Sequence, residues 1–343
     1  MPLSAILNRA KELLKFSAAP SPALPHFRRG KCLRRTRLTA NDNEFQPTPR
    51  RSSVAGLIAG LLMLLPALAV AQSRPTPDQE RLELKQALQA RLPGTQPTDW
   101  ALGADTLVPA VGGNVQAIPF NAENATNSAD VLAIGKKLWD RKFKDGKSLT
   151  NCFPNGGKRV AATYPQYDAK AKLAITLEMA VNRCLQLHRE PEIEMHNTLV
   201  MGPLSAYARS LSEGQRLALR VGVPAARDKL DSGKALFTRR IGQQNFACAS
   251  CHVLQAGSVF GSGEQVGKRA VFTVLSPAIG QATTWPRLEP GGTVRTLQMQ
   301  FQQCMKRSGA EPFELGSEEL NNLEYYHTFL SNGLPIRVLA VQR

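Results

Sequence analysis

The chain has 343 residues, room for two domains of ordinary size, with 43 Lys plus Arg against 27 Asp plus Glu and a formal charge of +16. Half of that charge, +8, lies in residues 1–71, so the rest of the chain is only moderately basic. With aromatics at 6%, it lacks the dense basic stripe and stacking platforms of a nucleic-acid binder, and that class is set aside.

Residues 54–70, VAGLIAGLLMLLPALAV, follow Arg50 and Arg51 and end at Ala69-Val70-Ala71. A charged lead, an apolar core and a small-residue end are the three parts of a secretory signal, cleaved here before Gln72, and they predict export to the periplasm. The competing reading is a membrane anchor. The run is broken by Pro66 and short for a span, so membrane contact is expected only through this segment, if it stays uncleaved. Export removes Cys32 and leaves Cys152, Cys184, Cys248, Cys251 and Cys304 in an oxidising compartment. An odd number leaves at least one cysteine for chemistry other than pairing.

After the cleaved region 1–71 comes a polar lead, 72–126, in which 79–92 has the spacing of a short amphipathic helix. Four features then appear twice in the same order. The first set is GKKLWDRKF (135–143), NCFPN (151–155), LEMAVNRCLQ (177–186) and LSAYARSLS (204–212). The second is GKALFTRRI (233–241), CASCH (248–252), LQMQFQQCMK (297–306) and LEYYHTFLS (323–331). Such ordered recurrence predicts a duplicated domain, spanning 127–222 and 223–343. The outer elements have helical apolar spacing, Ser317 ahead of Glu318 and Glu319 reads as an N-cap, and Gly333 and Pro335 end that helix. Few segments alternate with period two, so the expected fold is mainly α with long loops, 262–290 among them, wrapped around a large rigid group.

Cys248-Ala249-Ser250-Cys251-His252 is the attachment signature of one c-type haem. Two thiols three apart add to the two porphyrin vinyl groups, and the adjacent imidazole of His252 reaches the iron. A zinc site would want a second ligand pair and a thioredoxin-like motif a βαβ context; the sequence offers neither. For the opposite face of the iron, Met299, Met305 and Cys304 all stand as candidates. Lys306 and Arg307 follow Cys304, where cations favour thiolate and could support an anion. The first copy keeps Cys152 without a following histidine and carries Cys184 where the second has Cys304. If both copies fold alike, these two cysteines face one haem-free space, and a disulfide between them would brace it. His188, His196 and His327 read as structural.

With these residues in view, the chain resembles SoxA, the A subunit of the sulfur-oxidation cytochrome, in a single-haem form. The likeness runs over about 131–334 and is densest in NFACASCH, LSPAIGQ (275–281), the stretch around Cys304 with Lys306, and SEELNNLEYYHTFLSNGLP (317–335). It implies two tandem cytochrome c-like domains, the first without haem, a SoxX-like cytochrome partner, and the oxidative conjugation of thiosulfate to a cysteine of a SoxYZ-like carrier. It also implies that Cys304 is the second axial ligand, a persulfide candidate and the reacting sulfur. The family pattern places an arginine four residues before that cysteine. Here the position is Gln300, which donates hydrogen bonds but carries no charge, so anion capture there should be weaker, with Lys306, Arg307, Arg295 or Lys268 as compensating cations. A non-catalytic electron-transfer cytochrome is the alternative that Gln300 favours.

Overall fold

The computed structural model describes residues 75–101, 122–266, 269–289 and 292–338. The apolar run 54–70, Cys32 and Lys268 lie outside them. Among the described residues no helix is long and apolar enough to cross a membrane.

Helix α1, Pro77–Arg91, falls where the lead predicts a helix and opens with a capping box: Thr76 Oγ1 accepts from Gln79 N, and Gln79 Oε1 accepts from Thr76 N. Its buried residues Leu84 and Leu88, with Leu92 and Trp100 beyond it, belong to the core of the second copy. The lead is therefore part of that copy's hydrophobic interior, each buried leucine contributing about 1.5–3 kcal/mol of transfer free energy.

The first copy runs through α2 (Ala122–Asp140), a short α3 (Leu149–Cys152), two 3-10 turns (Pro154–Gly157 and Ala161–Thr163), the antiparallel pair β1 (Gln166–Asp168) and β2 (Leu173–Ile175), α4 (Leu177–Leu187) and α5 (Met201–Ser210). The second runs through α6 (Pro224–Thr238), a π turn (Ser250–Leu254), the hairpin β3 (Val259–Val266) and β4 (Arg269–Val274), a broken turn α7 (Ala278–Gln281), a 3-10 turn (Ala282–Thr284), the pair β5 (Arg287–Leu288) and β6 (Val294–Arg295), α8 (Leu297–Arg307) and α9 (Glu318–Phe329). Helix α2 starts at Ala122, before the expected boundary at 127.

One packing detail recurs. A Cβ on Gly135 of α2 would collide with the carbonyl oxygen of Pro203 and with Tyr207 on α5, and a Cβ on Gly233 of α6 would collide with the carbonyl oxygen of Asn322 and with Tyr326 on α9. In each copy the first and last helices thus cross backbone to backbone through a glycine. The core of one copy gathers Trp139, Phe153, Val181, Leu185 and Leu204, and that of the other Phe237, Phe301, Leu323, Tyr325 and Phe329. The copies are joined by more than the chain. Leu217 N donates to Leu334 O and Ile336 N to Gln215 O, and buried Arg209 on α5 donates from Nη2 to Ala282 O at 2.8 Å.

Where a loop is expected over 262–290, Val259–Val266 and Arg269–Val274 pair as antiparallel strands with a register shift between Gly261 and Gln265. The Val, Phe and Thr residues of RAVFTV favour pleated pairing, a signal that the neighbouring glycines hide. Ser317 caps α9, its Oγ accepting from Leu320 N at 3.3 Å.

Candidate functional site

Ser250 shapes the CASCH segment. Its Oγ accepts from Ala247 N at 3.1 Å, and its carbonyl accepts from Gln255 N at 3.0 Å, closing a wide π turn that carries Cys251 and His252. The two thiols and the imidazole are half-buried. Burial pushes the Cys248 thiol up to about 12 and raises that of Cys251, so both are held as neutral thiols.

His252 is held by its back nitrogen. Nδ1 lies 2.9 Å from the carbonyl oxygen of Ser276, while burial lowers its pKa and keeps the ring neutral. A neutral imidazole whose Nδ1–H is committed to a carbonyl presents a lone pair on Nε2, the arrangement an axial metal ligand requires.

Helix α8 brings the third thiol to this place. Thr296 caps the helix, its N–H reaching Met299 Sδ at 3.5 Å, and Cys304 follows near the last turn. Cys304 lies within electrostatic reach of both Cys248 and Cys251. The methionines that competed for the role are otherwise engaged: Met305 is buried in the core, and Met299 is buried with its sulfur on the cap. Two thiols, a back-bonded imidazole and a half-buried third thiol match the donor set of a thiolate-ligated haem c.

Burial raises the Cys304 thiol, against a hydrogen bond from Gln300 and the fields of Arg307, Arg295 and Arg287, which lower it. Arg307 thus favours thiolate, as expected of a cation following Cys304, while desolvation acts the other way and is the larger effect. Arg307 is exposed on α8 but acts on Cys304; Lys306, also exposed, is not among the charges that do. Arg295 donates from Nη1 to Gln300 Oε1 at 2.7 Å and pairs with Glu289.

In the first copy a disulfide joins Cys152 and Cys184 with Cα atoms 5.9 Å apart. His188 stands beside it, with Nδ1 2.6 Å from Asp145 Oδ2, and His196 is exposed against Glu194. His327 is buried and hydrogen-bonded within the protein.

With this geometry in hand, the chain can be set beside known proteins. Residues 134–217 match the family model of the SoxA/TsdA cytochrome c domain, on the copy without the CASCH segment. The L-cysteine S-thiosulfotransferase subunit SoxA of Chlorobaculum tepidum is 37% identical over 204 residues, 59% of this chain and 67% of that protein. Its counterpart from Allochromatium vinosum is 30% identical over 267 residues, covering 76% and 88% of the two chains. The chain belongs to the SoxA family. A chain in the crystal structure of SoxXA from P. pantotrophus has the same fold, with a TM-score of 0.55 at 21% identity over 73% of this chain and 88% of that one. Membership of SoxA makes the cofactor a haem c.

Within this SoxA chain, sequence reasoning missed one cation. Arg287 is half-buried, donates from Nε and Nη2 to Thr284 Oγ1 at 3.2 and 2.8 Å, and lies over the Trp285 ring at 4.3 Å. Among the described residues no carboxylate pairs with it, burial lowers its pKa to about 9, and its field reaches Cys304, His252 and His327. A lone arginine after Trp-Pro belongs to no motif; only the fold reveals it. Ser276 and Gln281, the neighbours of His252, lie in the LSPAIGQ stretch of the resemblance, but nothing in the sequence assigns either a role.

Proposed function

We propose that this chain carries one covalent haem on Cys248 and Cys251, with His252 and Cys304 as the axial pair, and that Cys304 is the reacting sulfur. The observation that carries the reading is that Cys304 is electrostatically coupled to both attachment thiols, while Met305 is buried in the core and the Met299 sulfur lies on the helix cap. It is supported by the relatives, which are named L-cysteine S-thiosulfotransferase subunits.

The reaction is the oxidative conjugation of thiosulfate to a cysteine of a SoxYZ-like carrier. A sulfur–sulfur bond forms between the terminal sulfur of thiosulfate and Cys304 as the Cys304 proton and two electrons leave; the carrier thiolate then attacks that thiosulfate sulfur, forming the carrier–thiosulfate bond, breaking the bond to Cys304 and returning Cys304 as a thiol. The haem supplies the acceptor through which electrons pass out of the site. The protein's own groups do the positioning. Arg287, Arg295 and Arg307 give the Cys304 sulfur a cationic surround that attracts the sulfonate, and Gln300 donates a hydrogen bond to the sulfur itself. Burial among these groups limits water at the sulfur.

The chain works in the periplasm as a heterodimer with a SoxX-like cytochrome. Its two cytochrome c-like domains cover 127–222, without haem, and 223–343. Lys306, exposed at the end of α8, is a contact for the carrier or for thiosulfate approaching from solvent. Turnover of thiosulfate with carrier and partner cytochrome, on protein with one haem per chain by pyridine haemochrome, tests the assignment. Two haems per chain, or no conjugate on the carrier, would count against it.

A further inference from the structure

A line of hydrogen bonds runs from α9 to the haem-binding histidine. His327 Nε2 lies 2.8 Å from Gln281 Oε1. Gln281 Nε2 lies 2.7 Å from Ser276 Oγ, 3.1 Å from the Ser276 carbonyl oxygen and 2.8 Å from His252 Nδ1. His252 Nδ1 is 2.9 Å from that same carbonyl. His327, Gln281 and Ser276 are all buried.

With the His252 proton on Nδ1, its 2.8 Å contact with Gln281 Nε2 sets donor beside donor and is no hydrogen bond; the other contacts take their directions as follows. An imidazole that offers Nε2 to a metal keeps its proton on Nδ1, so His252 donates to the Ser276 carbonyl. The Gln281 amide nitrogen has only hydrogens to offer, and it too donates to Ser276. Its amide oxygen must then accept, which requires a proton on His327 Nε2 and leaves the bare lone pair of His327 Nδ1 as the atom without a partner. Turning the amide over would let its oxygen accept from His252 Nδ1 and Ser276 Oγ, but it would set that oxygen 3.1 Å from the Ser276 carbonyl and leave a buried His327 N–H without a partner; the His327 tautomer tells the two arrangements apart. Burial, with His252 and Arg287 nearby, holds His327 neutral.

We infer that His327 and Gln281 are positioning residues for the axial histidine. His327 locks the Gln281 amide, and the amide shares the Ser276 carbonyl with His252. A carbonyl that accepts two hydrogen bonds pulls less on each proton. The His252 imidazole is therefore less anionic and a weaker electron donor than it would be on an unshared carbonyl, and the iron's reduction potential is higher. Broken at Gly280 (φ +97), where a Cβ would meet Pro97 O at 2.8 Å, the turn that carries Gln281 is itself fixed by the lead segment.

This inference rests on the haem reading but not on thiosulfate turnover. Its test uses the holoprotein and the midpoint potential of the ferric/ferrous couple. Gln281→Leu should lower the potential, shifting the ferric-to-ferrous ratio at fixed ambient potential by up to tenfold, or 59 mV for one electron. His327→Phe should shift it the same way by less, and His327→Gln, which restores a donor, should return it towards the wild-type value. Unchanged potentials in both Gln281→Leu and His327→Phe, with haem attached, would overturn the inference. Should those variants fail to fold, nitrogen-15 NMR of histidine-labelled wild-type protein decides: His327 neutral with its proton on Nε2 supports the network, and a proton on Nδ1 or an imidazolium rejects it. That measurement reads the network whether or not haem is attached, while the pyridine haemochrome of the same sample reports on the haem reading separately.

Discussion

Gln300 donates from Nε2 to the sulfur of Cys304 at 3.3 Å, one helical turn apart on α8. The bond lowers the thiol pKa without adding a charge, and burial still dominates. The Cys304 sulfur is thus served at close range by a neutral amide, with the fields of Arg287, Arg295 and Arg307 acting on it.

Gln300→Arg should strengthen anion capture. A charge-assisted hydrogen bond contributes about 1 kcal/mol beyond a neutral one, so KM for thiosulfate should fall roughly fivefold with a smaller change in kcat. Steady-state kinetics on the complex check this. An unchanged KM would mean that the sulfonate is held away from position 300.

The sequence made parts of this site legible and hid others for physical reasons. CASCH, the N-cap at Ser317, the helix at 77–91 and the paired Cys152 and Cys184 depend on local pattern or on the repeat, both of which a linear chain displays. The choice of Cys304 over Met305, one residue away, depends on which side of α8 packs into the core, and a helix with glutamines at four positions gives little hint of that. Arg287, Ser276 and Gln281 act through backbone carbonyls or unpaired charge, which leave no spacing rule behind. The pairing of Val259–Val266 with Arg269–Val274 is obscured by the glycines of the first strand.

The Cys152–Cys184 bridge closes 32 residues of chain. On the chain-entropy model its loss costs about 3–4 kcal/mol. The double variant Cys152→Ala/Cys184→Ala should unfold at a markedly lower urea concentration than the wild type while keeping its haem absorbance at low denaturant. Equal midpoints would show that the core around Trp139 and Val181 suffices.

Glu324 on α9 is buried near Glu178 and Arg209, and burial first, then Glu178, raises its pKa well above the ordinary 4.5. The folded chain therefore holds this proton more tightly than the unfolded chain. Its contribution to stability is fully present below about pH 4.5 and is lost as pH rises towards the raised folded value. Glu324→Gln should remove that loss, so its stability relative to wild type should improve from pH 5 to pH 8 in denaturant titrations. A difference constant across that range would mean that Glu324 is ionised throughout.

Cys304 is proposed as both the second axial ligand and the reacting sulfur. Cys304→Met leaves Cys248, Cys251 and His252 untouched, so the variant should retain one covalent haem. Methionine can still ligate iron but forms no persulfide. The most direct measurement is single-sample: the low-spin ferric spectrum of the variant alongside conjugation of thiosulfate to the carrier, read by intact mass. The expected result is an attached haem with an altered, His/Met-like spectrum and no thiosulfate adduct on the carrier; a wild-type spectrum with full conjugation would contradict the assignment of Cys304.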